Sequence, residues 1–273
     1  FRFRMGDDHT TDLPRPFYDD WSRRRRPAAR ALWHWHSALK SPAVPKGEDV
    51  KAYFDEERAR AEAGQPLRGM PEETASAAYE ACEAHGLTLD WLGAQVEAAR
   101  LLVGETRFGE ADQLETFVRL WAVPHARLLA HLADLTNSVQ IGWVDELARG
   151  FFHLAHLLRL PADLAQGCLF VPLEELRQYD VSAEQLRTGP ATEAARRLLW
   201  KQSVRVRDAL QRGRSLADDL GIRQQYALLK YWHGALALLD ELDRRDYDLW
   251  SAPIELSRFR RLEVYLLMLF GRR

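Results

Sequence analysis

Four histidines on two predicted helices are the first residues in this sequence to suggest metal chemistry. His153 and His156 are three residues apart, so a helix places them on one face. His34 and His36 are two residues apart, which places them on different faces. A zinc site needs three or four converging ligands, and these spacings bring together only one pair. The pattern therefore favours polar lining of a cavity, or packing of the rings in a core, over a zinc centre.

An acidic motif near the start of the chain, GDDHTTD, spells DDxxxD with Asp7, Asp8 and Asp12. The motif precedes the first predicted helix, and a solvated terminal segment is the ordinary state of such a sequence. We therefore predict a tail over residues 1–16 and one folded domain over residues 17–273.

The bulk composition indicates a folded protein with no general attraction to nucleic acid. Hydrophobic residues make up 47% of the 273 residues, charged residues make up 29%, and the net charge is −2. Cys82 and Cys168 are too few for a disulfide framework and fit no metal motif, so we expect reduced core thiols. The apolar run Val264–Phe270 is far shorter than the roughly 20 residues that span a bilayer. We expect a cytoplasmic protein with, at most, peripheral membrane contact.

The apolar residues recur at three- and four-residue spacings, which predicts helices rather than strands. Pro42 and Pro45 are expected to end the first core helix, and Pro161 to end or bend the helix that starts near Asp145. We predict eight to ten helices in a single all-α domain, four or five of them long enough to enclose a cavity. The clearest periodic windows are 91–102, 114–132 and 228–242.

Several segments match, in order, the motifs of one protein family. ETRFGEADQLETFVRLWAVPHARLLAH, at Glu105–His131, resembles a TRY element followed by a helix reading roughly YCRLSANPVGRLVLH. CLFVP at Cys168–Pro172 is similar to GRxYLP. GALALLDEL at Gly234–Leu242 and YDLW at Tyr247–Trp250 resemble GGxxILxxI and YDVF. Over about residues 17–262 the chain thus resembles the squalene/phytoene synthase family, in particular its hopanoid-pathway squalene synthase branch.

This resemblance implies an isoprenoid-synthase helical bundle around a central cavity. It also implies a prenyltransferase reaction, the head-to-head condensation of two farnesyl or geranylgeranyl diphosphates. The cofactors implied by the family are Mg²⁺ and NADPH. The Mg²⁺ would be held between two Asp-rich helices, because carboxylates and substrate phosphates are the ligands that Mg²⁺ prefers. The expected partner is a prenyl diphosphate or prenyl lipid.

The chain departs from the family at the metal-binding positions. Lys40, Ser41 and Val44 stand where the first motif has aspartates, and Arg159 stands at the first aspartate of the second motif. Asp163 is the surviving motif aspartate and the candidate metal ligand. At ~4 Å and an effective dielectric near 20, a pair of unit charges interacts by about 4 kcal/mol, and a divalent ion by twice that. The introduced cations therefore argue against ordinary Mg²⁺-dependent ionisation of a diphosphate.

The same substitutions suggest direct anion binding. If the two helices face each other as in the family, Lys40 and Arg159 share a cavity and can hold a phosphate, a diphosphate or a lipid head group without metal. The alternative for Lys40 is a solvent-facing lysine at a helix C-terminus. Three further arginines stand where the family often has basic residues: Arg107, Arg205 and Arg207. The predicted cavity lining is Trp33, His34, Phe152 and His156.

Two functions from different classes remain open at this point. The first is a squalene synthase-like enzyme that works through an unusual site. The second is a non-catalytic prenyl-lipid-binding or assembly/accessory protein on the same fold, with a protein partner. The arginine run at 23–26 is either a solvated helix start or a contact for phospholipid head groups.

Overall fold

The computed structural model describes residues 22–270, which form helices and one minimal parallel sheet. Its strands are β1, Thr106–Arg107, and β2, Cys168–Leu169. The predicted tail, with Asp7, Asp8 and Asp12, lies outside the described residues. The helices are α1 Arg26–Ala38, α2 Val50–Glu62, α3 Glu72–His85, α4 Asp90–Ala99, α5 Ala111–Leu132, α6 Ser138–Leu158, α7 Leu160–Ala165, α8 Leu173–Gln178, α9 Ala183–Thr188, α10 Glu193–Arg212, α11 Leu216–Asp219, α12 Ile222–Arg244 and α13 Arg258–Phe270.

The prediction of an all-α fold is confirmed, but the number of helices was underestimated. Nine of the described helices have ten or more residues, and α7, α8, α9 and α11 have four to six. So short a helix contains too few positions for an apolar periodicity to be recognised. None of the helices within residues 22–270 combines the length and the apolar character needed to cross a membrane.

The long helices α5, α6, α10 and α12 form the frame of the molecule. One core cluster fills the space among α1 to α5, and a second lies among α6, α10 and α12. Arg127 of α5 binds Asp145 of α6 through two hydrogen bonds, Nε to Oδ1 at 2.8 Å and Nη2 to Oδ2 at 2.6 Å. This pairing raises the pKa of Arg127 and fixes α5 against α6.

Two local features place the end of α6. Helix α6 stops at Leu158 and α7 begins at Leu160, so Pro161 interrupts the helix as expected. Strands β1 and β2 pair with Thr106 opposite Cys168, and the Thr106 amide donates to the Gly167 carbonyl at 3.1 Å. The sheet therefore ties the segment before α5 to the segment after α7.

Two glycines of α6 give a matched test of its packing against α10. A Cβ on Gly150 would lie 2.9 Å from Leu210 Cδ2 and 3.2 Å from the Leu210 backbone nitrogen, whereas a Cβ on Gly142 would meet nothing within 4 Å. We expect Gly150→Ala to lower the free energy of unfolding by about 1–2 kcal/mol, because α10 must move. Gly142→Ala should raise it by up to about 1 kcal/mol. Urea unfolding of both variants checks this, and equal effects would contradict the close approach.

Candidate functional site

Asp163 lies in the first turn of α7 and is held from two sides. His156 Nδ1 is 2.7 Å from Asp163 Oδ2, and Arg159 Nη2 is 3.3 Å from Asp163 Oδ1. The three side chains are 5%, 11% and 19% exposed, in the order Asp163, His156, Arg159. His156, Arg159 and Asp163 are called the Asp163 cluster below. Both carboxylate oxygens are therefore engaged by neighbours of the same chain.

The side of the Asp163 cluster that faces the interior is packed with aromatic rings. The ring of His156 lies 3.8 Å from that of Phe170 and 4.5 Å from that of Phe152 between centroids. Phe117 contacts Phe152 and Phe170 at 5.9 and 6.0 Å, and stacks on Trp121 at 5.8 Å. We call Phe117, Trp121, Phe152 and Phe170 the aromatic cluster. It occupies space between α5 and α6 and carries little polar chemistry of its own.

The positions of the first motif lie at and just after the end of α1. Lys40 follows the end of α1 and is half-buried, Ser41 is exposed, and Val44 packs against the first core cluster. The amide of Lys40 donates to the Ser37 carbonyl at 3.3 Å, in the turn that closes the helix. Its backbone placement agrees with the expected helix-terminal lysine, and its role in anion binding stays a prediction.

The other predicted cations do not form one site within the described residues. Each is paired with acidic groups of a different part of the chain: Arg107 with Glu105 at 3.1 Å, Arg205 with the buried Glu175, and Arg207 with Asp240 at 3.0 Å and Asp243 at 2.6 Å. Arg159 is likewise engaged by Asp163. Each of these arginines therefore neutralises a carboxylate of its own, and their role in anion binding stays a prediction.

The histidines singled out in the sequence also lie in different parts of the structure. His34 is exposed and lines a surface groove with Arg26 and Arg30, so it does not line the interior as predicted. His153 Nε2 lies 4.0 Å from Glu115 Oε2, so its acidic neighbour is Glu115 and not Asp163. Trp33 is buried as expected, and Phe152 is fully buried inside the aromatic cluster.

The sequence analysis did not predict that buried polar side chains cluster around His36. His36 Nδ1 is 2.8 Å from Gln95 Oε1, and the ring stacks on that of His125 at 4.4 Å between centroids. His36 and His125 are 2% and 1% exposed. Gln95 in turn donates to the Trp91 carbonyl at 3.0 Å. The position of His125, four residues after Trp121 on the apolar face of α5, was the available signal.

The described residues do not fit the magnesium site that the family implies. Across residues 22–270, no three His, Cys, Asp or Glu side chains are grouped so as to hold a metal ion. Asp163 already binds one arginine and one histidine, and a cation beside it opposes a divalent ion. No step that depends on a bound metal follows from this arrangement.

The two cysteines are not activated nucleophiles. Burial raises the pKa of Cys82 to about 12, and burial also raises the pKa of Cys168. A thiol with a raised pKa is protonated at neutral pH and reacts slowly. Cys82 is therefore the core thiol expected from the sequence, whereas Cys168 is only half-buried.

An apolar pocket lies on another side of the frame, between α5, α6 and α12. Leu129, Ala148, Phe151 and Leu228 are among the side chains that line it, and Gln224 contributes a polar group. Its volume is about 70 Å³, below the roughly 300–1,000 Å³ of typical ligand pockets. The described residues thus form a small apolar pocket here, while aromatic rings fill the space near Asp163.

Comparison with solved structures identifies this arrangement as the fold of all-α isoprenoid synthases. The crystal structure of squalene synthase HpnC from Alicyclobacillus acidocaldarius superposes with a TM-score of 0.73 at 21% identity, covering 85% of this chain and 89% of that one. A dehydrosqualene synthase solved in complex with a ligand gives a TM-score of 0.75 at 10% identity, covering 93% and 89%.

The sequence comparison then gives the family. The squalene/phytoene synthase family model matches residues 18–264, so the chain belongs to this family. Phytoene synthase 2, chloroplastic, from Solanum lycopersicum is 24% identical over 176 residues, which is 61% of this chain and 56% of that protein. The match thus spans little more than half the length of that relative.

Proposed function

We propose that this chain is a squalene/phytoene synthase family member that binds a prenyl diphosphate or prenyl lipid without carrying out Mg²⁺-dependent head-to-head condensation. The observation that carries the proposal is the state of Asp163. This carboxylate, the motif aspartate that the resemblance leaves in place, is buried and bound by His156 and Arg159. It is therefore a counterion of its own chain rather than an open metal ligand.

The electrostatics of the neighbouring positions support the same conclusion. By the resemblance, Lys40 and Arg159 replace metal-binding aspartates, and each cation raises the energy of a nearby divalent ion by several kcal/mol, on the order of 8 at ~4 Å and a dielectric near 20. The leaving diphosphate would then lack the charge that Mg²⁺ withdraws. Guanidinium and ammonium groups still attract phosphate, so binding of an anionic lipid is retained in the proposal.

The biological setting proposed is isoprenoid metabolism, with hopanoid biosynthesis supported by the likeness to HpnC. In that setting a chain without condensation activity acts as an accessory protein that holds a prenyl compound for a partner enzyme. NADPH has no step to serve in this role. Peripheral membrane contact is compatible with the exposed apolar residues of α13, Phe259 and Leu262, which are 86% and 57% exposed.

Incubation with farnesyl diphosphate, NADPH and Mg²⁺ is the direct test. We expect no squalene and no presqualene diphosphate by mass spectrometry, because the metal-dependent ionisation step is lost. Titration calorimetry should show farnesyl diphosphate binding with the same affinity in Mg²⁺ and in EDTA. The squalene synthase HpnC provides the positive control. Formation of either product, or binding that requires Mg²⁺, would contradict the proposal.

A further inference from the structure

Helix α13 presents an exposed apolar face near the end of the chain. Phe259, Leu262 and Leu266 are 86%, 57% and 45% exposed. Their spacing of i, i+3 and i+7 places them on one face of the helix. Together with Leu267 they make up four of the eight large apolar side chains that are exposed in residues 22–270. Such a concentration on one helix is typical of a surface that meets a partner.

The opposite face of α13 is apolar as well, and it is the face that packs on the protein. Val264 is buried in a small core cluster with Ala237 and Leu238 of α12 and with Leu256. Met268, one turn further on, packs against the second core cluster. A helix at the boundary between protein and water ordinarily turns a polar face outward. Helix α13 instead has two apolar faces, of which the described residues bury one.

The charges of α13 favour an anionic cover for the open face. The helix contains three arginines and one glutamate, a net charge of +2, whereas the whole chain has a net charge of −2. Arg260 Nη1 donates to Glu263 Oε2 at 2.7 Å, and Arg261 Nε donates to the Leu256 carbonyl at 2.9 Å. Arg258 is exposed, and no carboxylate of residues 22–270 forms an ion pair with it. Its guanidinium is therefore available to an external anion.

We propose that α13 lies in the surface of a membrane that contains anionic phospholipids, with Phe259, Leu262 and Leu266 among the acyl chains. The helix is about 20 Å long at 1.5 Å per residue, too short to span a bilayer, so it lies parallel to the surface. Arg258 precedes Leu262 by four residues and borders the apolar face, from which its long side chain reaches the phosphate level. The contact rests on the proposed function, whose peripheral membrane association it assigns to one helix and one class of lipid.

A second copy of this chain is a poorer match for the same face. Each copy carries the same net positive charge on α13, so pairing two of these helices adds repulsion, whereas an anionic lipid surface adds attraction. The face is one helix wide, about 20 Å by 10 Å. A standard protein interface buries roughly 800 Å² on each partner, which one such face does not supply.

Co-sedimentation with lipid vesicles tests the contact on the full chain, without any prenyl compound present. Vesicles of phosphatidylcholine alone are compared with vesicles that also contain phosphatidylglycerol. We expect the wild type to bind the mixed vesicles roughly tenfold or more tightly, because arginines beside an anionic surface strengthen binding. Added salt should weaken the binding to the mixed vesicles by screening this attraction.

The matched variants for the apolar half are Leu262→Gln and Val139→Gln. Both side chains are 57% exposed. Val139 lies near the start of α6, 19 positions from Leu158, which packs beside α13, and this is about 28 Å along the helix. We expect Leu262→Gln to bind the mixed vesicles roughly fivefold to tenfold more weakly and Val139→Gln to match the wild type. Both sites are exposed, so urea unfolding should be unchanged in both variants.

The charged half is tested by Arg258→Gln. We expect binding to the mixed vesicles to weaken roughly threefold to fivefold, because one cation is lost from the lipid surface. Binding to vesicles of phosphatidylcholine alone should stay the same. Equal affinity of the wild type for both kinds of vesicle would overturn the choice of an anionic lipid.

The remaining outcomes separate this contact from other surfaces and from prenyl binding. If Leu262→Gln and Val139→Gln bind vesicles as tightly as the wild type, α13 is not the membrane contact. If the wild type ignores both kinds of vesicle and sedimentation shows a dimer that Leu262→Gln dissociates, the face joins two copies and the proposal is wrong. Absence of both vesicle binding and a dimer overturns it too. Calorimetry with farnesyl diphosphate in vesicle-free buffer tests the proposed function separately, and Leu262→Gln should leave that affinity unchanged.

Discussion

Replacing Asp163 by alanine is expected to lower the free energy of unfolding by about 3–5 kcal/mol, since it removes one partner of a buried ion pair. The change leaves Arg159 and His156 largely buried, with no carboxylate where Asp163 was. The aromatic cluster beneath His156 offers no oxygen to replace it, because Phe152 and Phe170 are its ring neighbours. Urea unfolding followed by circular dichroism measures the loss.

The control for this prediction is Asp112→Ala. Asp112 also lies in the first turn of a helix, α5, but is exposed, so its removal should cost only the interaction with the helix dipole, about 0.3–1 kcal/mol. A second measurement separates a counterion from a metal ligand. Added Mg²⁺ should leave the unfolding temperature of the wild type unchanged, since stabilisation requires binding to the folded state. A Mg²⁺-dependent rise that disappears in Asp163→Asn would show that Asp163 is a metal ligand after all.

The helical architecture could be derived from the sequence because it is encoded locally. The apolar spacing from Leu228 to Leu242 corresponds to the buried face of α12, and Pro161 falls at the break between α6 and α7. Helix existence depends on such short-range patterns. The four shortest helices were missed because tertiary packing, and not periodicity, determines them.

The site was less accessible to sequence reasoning, and particular residues show why. Arg159 and Asp163 were both singled out, yet their i, i+4 spacing on a helix already allowed them to pair with each other. His34 was placed inside although His36 is the residue that faces the core, because two residues turn a helix through more than half a revolution. A local pattern shows which residues share a face of a helix, but it does not show which face is buried.

Pairings across long stretches of chain were not predictable at all. Arg205 and Glu175 are 30 residues apart, and Arg25 and Asp134 are 109 apart. Their meeting depends on how α8 and α10, or α1 and α5, pack. For this reason the carboxylate partners of Arg205 and Arg207 could not be anticipated from the sequence.

Reversing the charge of Arg205 is the second change with a large expected effect. Its partner Glu175 has a side chain only 4% exposed, and Glu175 Oε2 also accepts a hydrogen bond from Gln202 at 2.5 Å. Arg205→Glu would place a second carboxylate beside this buried one. Arg205 itself is 45% exposed, so water partly screens the change, and we expect the free energy of unfolding to fall by about 2–3 kcal/mol at neutral pH because the buried Glu175 would lose its counterion and gain a repelling neighbour.

Arg207→Glu is the matched control, on the same helix and with the same change of charge. The acidic partners of Arg207, Asp240 and Asp243, are 48% and 42% exposed, so water screens the repulsion and a loss of about 1 kcal/mol is expected. In a Glu175→Gln background, Arg205→Glu should likewise cost no more than about 1 kcal/mol, since the buried charge is gone. Together these variants test whether Arg205 is a structural counterion. Equal losses from Arg205→Glu in both backgrounds would contradict that role and return Arg205 to the list of candidate anion ligands.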